Sequence, residues 1–235
     1  ILIMSWVGVY KDRGDLPKSL SNNDHNFQAW VDKQSNRIKN LDKELYLIKR
    51  RNSFFIDLLK KYNKAPSVLD FGGSLGTSFF SVSNLVNKYY IVETEKIVKA
   101  GNNLGVDNLT FFNSISNTPQ VDIVYIRTSL QYSPDWRKTL EELLAKKPRQ
   151  VILSHLSAGD IDTFLTIQNW GDMQIPYWFI NLKEIKTLFL ERGFKLMKEQ
   201  DSLILKECPK TWASIRKFPK SKRLEKTVDI SFINE

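Results

Sequence analysis

The sequence predicts an α/β fold: a doubly wound parallel sheet with helices on both faces, preceded by a helical extension. Three observations predict it. Beyond Pro66, short apolar runs alternate with stretches of helical period. The first run, Ser67–Phe71, passes straight into a glycine-rich turn, Gly72-Gly-Ser-Leu-Gly76, and then into a helix-compatible stretch. The next run ends in an acid, Glu93, roughly twenty residues beyond Asp70, where the second strand of such a sheet should end.

Taken in order, residues 1–25 read as an extended, turn-rich lead-in with Gly8, Gly14, Pro17 and the cluster Ser21-Asn-Asn-Asp24. From Asn26 to about Tyr62 apolar residues recur at spacings near three and four, among them Trp30, Val31, Ile38, Leu41, Ile48, Phe54, Phe55 and Leu58. Two helices are expected there, broken near Arg50 to Ser53. Strands are then expected at Ser67–Phe71, Tyr89–Glu93, Leu109–Asn113, Val121–Arg127, Gln150–His155, Phe194–Lys198 and Thr227–Ile233. Helices should fill Thr77–Asn87, Glu95 to about Leu104, Trp136–Lys147 and Leu182–Arg192, the last stopped by Gly193. This divides the chain into an extension, 1–65, packing on a core, 66–235. The aromatic and amide-rich stretch from Gln168 to Trp178 reads as a loop.

With 42% hydrophobic and 12% aromatic residues in 235, the composition is that of a folded protein and not a disordered one. No apolar run approaches the ~20 residues that span a bilayer. The single cysteine, Cys208, cannot form an internal disulfide, which points to a reducing compartment. The first ten residues lack the basic flank of a signal peptide, and a start at Ile1 in place of Met leaves room for an upstream segment. A cytoplasmic location follows, with the inner membrane face as a variant of it. The net charge of +9 is uneven: Lys210 to Lys226 holds seven basic residues against Glu225 alone. Such a segment can attract phosphate groups or anionic lipid, although most lysines of this kind are simply solvated.

Ligands in doubly wound sheets bind beyond the carboxyl ends of the strands. Asp70, Glu93, Asn113, Thr128 and His155 are all expected there. The glycines read G-G-x-x-G, not the G-x-G-x-x-G of a dinucleotide site, and an acid stands two residues before the first. That acid would repel a pyrophosphate but suits the ammonium and sulfonium end of S-adenosyl-L-methionine (SAM). A carboxylate at Glu93 can accept both ribose hydroxyls.

Through Val68-Leu-Asp-Phe-Gly-Gly-Ser-Leu-Gly76, Glu93 and Asp122-Ile-Val-Tyr-Ile-Arg-Thr-Ser-Leu-Gln-Tyr-Ser-Pro-Asp135, the chain resembles class I SAM-dependent methyltransferases. More narrowly, it is similar to a family of methyltransferases associated with bacterial capsule and O-antigen gene clusters. That match adds Trp6-Val-Gly-Val-Tyr10, Leu130-Gln-Tyr132, Thr166-Ile-Gln168, Pro176-Tyr-Trp178 and Glu191-Arg-Gly-Phe194, and covers roughly residues 6 to 200. His155 departs from it, standing where the family often has a basic residue. The resemblance implies a Rossmann-like seven-stranded sheet with an antiparallel last strand. It also implies that Asp70 and the backbone of Phe71, Gly72, Gly73, Ser74 and Leu75 face the methionyl group, with Gly76 completing the turn. Glu93 would take the ribose, Asn113 or Ser114 the adenine, and Thr128, Ser129 and Leu130 would close the site.

Methyl transfer is a displacement, so positioning and exclusion of water come first. A hydroxyl acceptor also gains from a base near neutral pH, and histidine matches best. His155, at a strand end, is the candidate base; His25 reads as a surface residue. Gln131 and Tyr132 could orient the acceptor or close the adenine pocket. Asp160 and Asp162 near His155 admit a metal, but Gly-Asp contexts favour turn formation, and no metal is expected. The expected activity is O-methylation of a sugar or sugar-linked group, the substrate being a glycan or its nucleotide- or lipid-linked precursor. The alternatives are an RNA or small-metabolite N-methyltransferase and a non-catalytic Rossmann-like binding module with a basic surface. The chain lacks the Asn/Asp-Pro-Pro-Tyr motif of enzymes acting on exocyclic base nitrogens. Nucleic acid is therefore the less favoured partner.

Overall fold

The computed structural model describes residues 5–20, 28–170, 173–202 and 211–234. His25, Cys208 and Lys210 lie outside the described residues. The chain opens with strand β1 (Ser5–Tyr10) and three helices, α1 (Gln28–Lys39), α2 (Leu41–Arg51) and α3 (Ser53–Leu59). There follow β2 (Ser67–Phe71), α4 (Thr77–Val82), β3 (Lys88–Val92), α5 (Glu95–Asn102), β4 (Leu109–Phe112), β5 (Ile123–Arg127), α6 (Trp136–Leu144) and β6 (Gln150–Leu156). Next come β7 (Ala158–Gly159), β8 (Phe164–Trp170), β9 (Met173–Asn181), α7 (Leu182–Glu191), β10 (Lys195–Asp201) and β11 (Val228–Ile233).

Seven strands form the main sheet in the order β10-β11-β6-β5-β2-β3-β4, and β11 alone runs antiparallel to its neighbours. The expected seven-stranded sheet with an antiparallel last strand is what forms. Strand residues alternate between two cores. Leu69, Val124, Ile126, Val151 and Leu153 face α6 and α7, whereas Val68, Ile123, Tyr125 and Ile152 face α3 and α4. A strand buried on both faces reads as a continuous apolar run, which is why these segments were legible in the sequence. The order reverses between β2 and β5, so the crevice expected of such sheets opens beyond their carboxyl ends.

Two regions differ from the sequence reading. The helical extension has three helices, not two, with breaks at Asn40 and Asn52. The second break is held by tertiary contacts: Asn52 is buried, its Nδ2 donates to Ser81 Oγ at 2.8 Å, and its Oδ1 accepts from Tyr125 Oη at 3.4 Å.

The stretch containing Gln168–Trp178 is not a loop. β8 and β9 form an antiparallel hairpin, β1 pairs with β8 and β7 with β9, giving a second, four-stranded sheet. The hairpin is hard to see in sequence because its buried face carries polar groups. Thr166 is fully buried and its hydroxyl lies 3.1 and 2.7 Å from the Val7 and Gly8 carbonyls. Pro176 also argues against a strand from sequence alone, yet it pairs with Ile167 in β8. Trp6, Phe164, Tyr177 and Phe179 pack beneath this sheet with Ile215 and Phe218.

Candidate active site

A cavity of about 540 Å³ lies beyond the carboxyl ends of β2, β3, β4 and β5. Its floor is Phe71, Gly72, Val92, Glu93, Thr94 and Asn113; Arg127 to Ser129 and Tyr132 to Pro134 form one wall. Trp30 and Lys33 of α1 close it from the extension, and Gln168 and Ile175 of the hairpin from the other side.

The glycine turn is shaped by near contacts. Gly72 has φ of +72°, donates its N–H to the Val92 carbonyl at 2.9 Å, and leaves no room for a Cβ, which would fall on Ser129. At Gly73 a Cβ would strike the Asp70 carboxylate. Ser74 also adopts a positive φ, 53°, and its N–H donates to Glu93 Oε1 at 3.1 Å. The other carboxylate oxygen, Oε2, accepts from the Thr94 N–H at 2.9 Å. Glu93 thus ties the turn to the end of β3 and retains acceptor capacity on both oxygens. Burial raises its pKa against the two N–H bonds, which lower it.

Several expected site residues are placed elsewhere. Asp70 does not line the cavity. It is 1% exposed, lies under Gly73, and accepts from Tyr89 Oη at 2.7 Å. Burial pushes its pKa up to about 7, the Tyr89 bond opposing. Its role is to support the turn from below. Gly73, Ser74 and Gly76 lie outside the cavity wall, and Leu75 points into a cluster with Val31 and Ile97. Asn113 lines the cavity, but Ser114 does not; its hydroxyl is 2.6 Å from that of Ser116 in an exposed turn. Thr128 and Ser129 line it, while Leu130 is fully buried in the core facing α6 and α7.

The expectation that His155 faces an acceptor is corrected. His155 is 2% exposed and absent from the cavity wall. Its Nε2 is 3.1 Å from the Arg51 carbonyl, so it carries the proton there, and Nδ1 accepts from the Ser202 hydroxyl. Asp229 Oδ1 accepts the His155 backbone N–H at 2.8 Å and stands 3.7 Å from Nδ1, too far for a hydrogen bond to the ring. Burial, reinforced by Arg127, lowers its pKa to about 3, so the ring is a neutral structural link between β6, α2 and the end of β10. Gln131 is likewise buried, and its Nε2 donates to the His155 carbonyl at 3.0 Å. Tyr132 does reach the cavity, but its hydroxyl donates to Gln168 Oε1 at 2.8 Å and burial pushes its pKa well above the ordinary range. It can hold a hydrogen bond; it is no base at neutral pH. Asp162 pairs with Lys222 at 3.3 Å, and its N–H donates to the Ser221 carbonyl. Among the described residues no three His, Cys, Asp or Glu side chains cluster to hold a metal.

Among the lining groups that escaped the sequence reading are Trp30 and Lys33, which share a helix face three residues apart, and Arg127. Arg127 did carry a signal, as the one charged residue closing the apolar run Ile123-Val-Tyr-Ile-Arg127. Burial lowers its pKa, as does repulsion from Arg51 and Arg37. Of the basic segment, Lys222 and Lys226 are engaged with Asp162 and Asp201, while Arg216, Lys217 and Lys220 are exposed. Among the described residues no helix is long and apolar enough to cross a membrane.

This sheet order, with a crevice at its switch point, is the fold of class I SAM-dependent methyltransferases. Among solved structures, the chain is similar to the magnesium protoporphyrin IX methyltransferase ChlM from Synechocystis PCC 6803 with bound SAM (14% identity, 93% of this chain, 88% of that one, TM-score 0.52). It is similar to the 1,6-didemethyltoxoflavin-N1-methyltransferase of Burkholderia thailandensis with bound 1,6-didemethyltoxoflavin and S-adenosylhomocysteine (SAH) (13% identity, 87% and 86%, TM-score 0.53). A third is a SAM-dependent methyltransferase from Clostridium acetobutylicum (10% identity, 85% and 98%, TM-score 0.53). A scan against protein-family models matches none of them, and a search of curated proteins finds no match.

Proposed function

We propose that this protein is a SAM-dependent methyltransferase acting on an oxygen of a sugar or sugar-linked group, in the assembly of a bacterial capsule or lipopolysaccharide. One observation carries the cofactor reading. A half-buried carboxylate, Glu93, lines a cavity at the switch point while its two remaining acceptor directions stay available for a diol. The Gly72 backbone bounds the same cavity beside Ser129, which fills the place a side chain on Gly72 would take. These features fit SAM: Glu93 would hold the ribose, the Phe71–Gly72 backbone the methionyl part, and Asn113 the adenine edge.

When bound, SAM supplies a methyl group on a positively charged sulfur. The residues of the chain then bind, orient and exclude water. Trp30 and Ile175 narrow the cavity from opposite sides, which favours a dry displacement. Tyr132 and Gln168, locked to each other, present a fixed polar edge suited to acceptor hydroxyls. With His155 buried elsewhere, rate enhancement rests on positioning.

The sugar acceptor is supported by the resemblance to the surface-polysaccharide methyltransferases and by the aromatic and amide groups, Trp30, Tyr132 and Gln168, around the cavity. A small aromatic metabolite is the second reading, favoured by the apolar walls at Phe71, Val92 and Ile175. The site of action is the cytoplasm or the inner membrane face, with Arg216, Lys217 and Lys220 available to anionic lipid. Calorimetry with SAM and SAH tests the cofactor. Mass spectrometry of the native glycan with and without the gene tests the acceptor: loss of one methylene mass unit, about 14 Da, per repeat is expected. An unchanged glycan would remove the sugar reading.

A further inference from the structure

Arg127 ends β5 with its side chain on the cavity wall, and its Nε is buried with no hydrogen-bond partner. A guanidinium nitrogen removed from water without an acceptor is costly, and such a group is ordinarily paired. Among the described residues Arg127 forms no ion pair. Of the acids around it, Asp229 accepts from the His155 N–H and Glu93 from Ser74 and Thr94; Asp70 accepts from Tyr89 on one oxygen and attracts Arg127 without hydrogen-bonding to it. Positive charge also stands close by. Arg37 and Arg51 act on Arg127 by repulsion, and Lys33 lines the same cavity from α1.

We propose that Arg127, seconded by Lys33, is a carboxylate-binding subsite of this cavity. The inference rests on the methyltransferase reading and adds to it a residue and a ligand chemistry. A planar guanidinium matches a carboxylate through two parallel N–H bonds, which Lys33 alone could not provide. The carboxylate has two sources: the amino-acid end of the cofactor, or an acidic acceptor such as a uronic acid. Either would pair with the guanidinium at the cavity wall.

The test is calorimetry on the full chain and on Arg127→Gln, with Arg127→Met as a second variant of similar length and circular dichroism as the folding check. SAH carries the amino-acid carboxylate and 5′-methylthioadenosine lacks it. If the cofactor supplies the anion, Arg127→Gln weakens SAH at least tenfold and leaves 5′-methylthioadenosine within twofold. If the acceptor supplies it, both nucleosides bind unchanged; the wild-type SAH complex then binds D-glucuronate but not D-glucose, and the variant complex binds neither. Equal weakening of SAH and 5′-methylthioadenosine in a folded variant would overturn the proposal, since Arg127 would then shape the nucleoside site. So would no change in any of these ligands. A wild-type chain that binds neither nucleoside would instead overturn the methyltransferase reading itself.

Discussion

The Ser129 side chain occupies the space that any side chain on Gly72 would need, and its hydroxyl donates to the carbonyl of Phe71, next to that glycine. The turn after β2 is therefore fixed from across the cavity by the segment after β5. The two segments that flank the switch point are one mechanical unit.

Gly72→Ala should accordingly lose stability by about 1–3 kcal/mol, through both the positive φ and the clash. It should also lose SAH binding. Gly72→Ala combined with Ser129→Gly should recover part of both, because the clash is removed while the backbone strain stays. Denaturant titration and calorimetry on the two variants measure this. Equal losses in both would place the whole effect in the backbone.

Glu93→Ala removes the acceptor for the Ser74 and Thr94 N–H groups and the proposed ribose contact together. Charge-assisted hydrogen bonds of this kind are worth about 1.5–3 kcal/mol. SAH affinity should fall by roughly ten- to a hundredfold, with a lower Tm because the turn loses its tie to β3. An unchanged SAH affinity in the folded variant would take the central support from the cofactor reading.

His155 should matter for acid stability and not for turnover. Its folded pKa, about 3, lies below the ordinary 6.5, so the unfolded chain takes up the proton first. Stability is complete above pH 6.5 and is lost as the pH falls toward 3, by at most on the order of 5 kcal/mol from this group. Urea titrations from pH 7 to 4 should show a shallower loss for His155→Gln than for the wild type. Once the acceptor is known, His155→Gln should keep kcat within about threefold, since nothing titrates in the cavity at this position. A drop of a hundredfold or more would return the residue to the chemistry.

Tyr132→Phe deletes the bond to Gln168 Oε1 and frees the hairpin edge of the cavity. It should cost about 1 kcal/mol of stability and raise KM for the acceptor while leaving SAH affinity within about threefold. Equal weakening of SAH would assign this wall to the nucleoside.

How much of this was legible in the sequence depended on how locally each feature is encoded. The strand at Ser67–Phe71 was read with its observed bounds, because an apolar run and a glycine turn are properties of neighbouring residues. The last two strands, β10 and β11, were legible for the same reason, whereas the antiparallel direction of β11 was expected only through the family resemblance. The β8–β9 hairpin was not. Its inward face carries Thr166 and Gln168, whose burial is satisfied by β1 and by Tyr132, partners more than thirty residues away.

The same distinction governs the site. The sequence by itself determined which residues stand at the carboxyl ends of the strands, since strand ends follow from pattern. Only the tertiary structure decided which of them face the cavity. Asp70 and His155 are both strand-end residues, yet one lies beneath a glycine turn and the other is held by Ser202 and the Arg51 carbonyl. Arg127, one strand over from His155, is left on the cavity wall with its Nε unpaired. Which way a polar side chain goes at a strand end depends on whether a distant segment supplies it with a hydrogen-bond partner, and that supply is set by packing, not by the residue's neighbours in sequence.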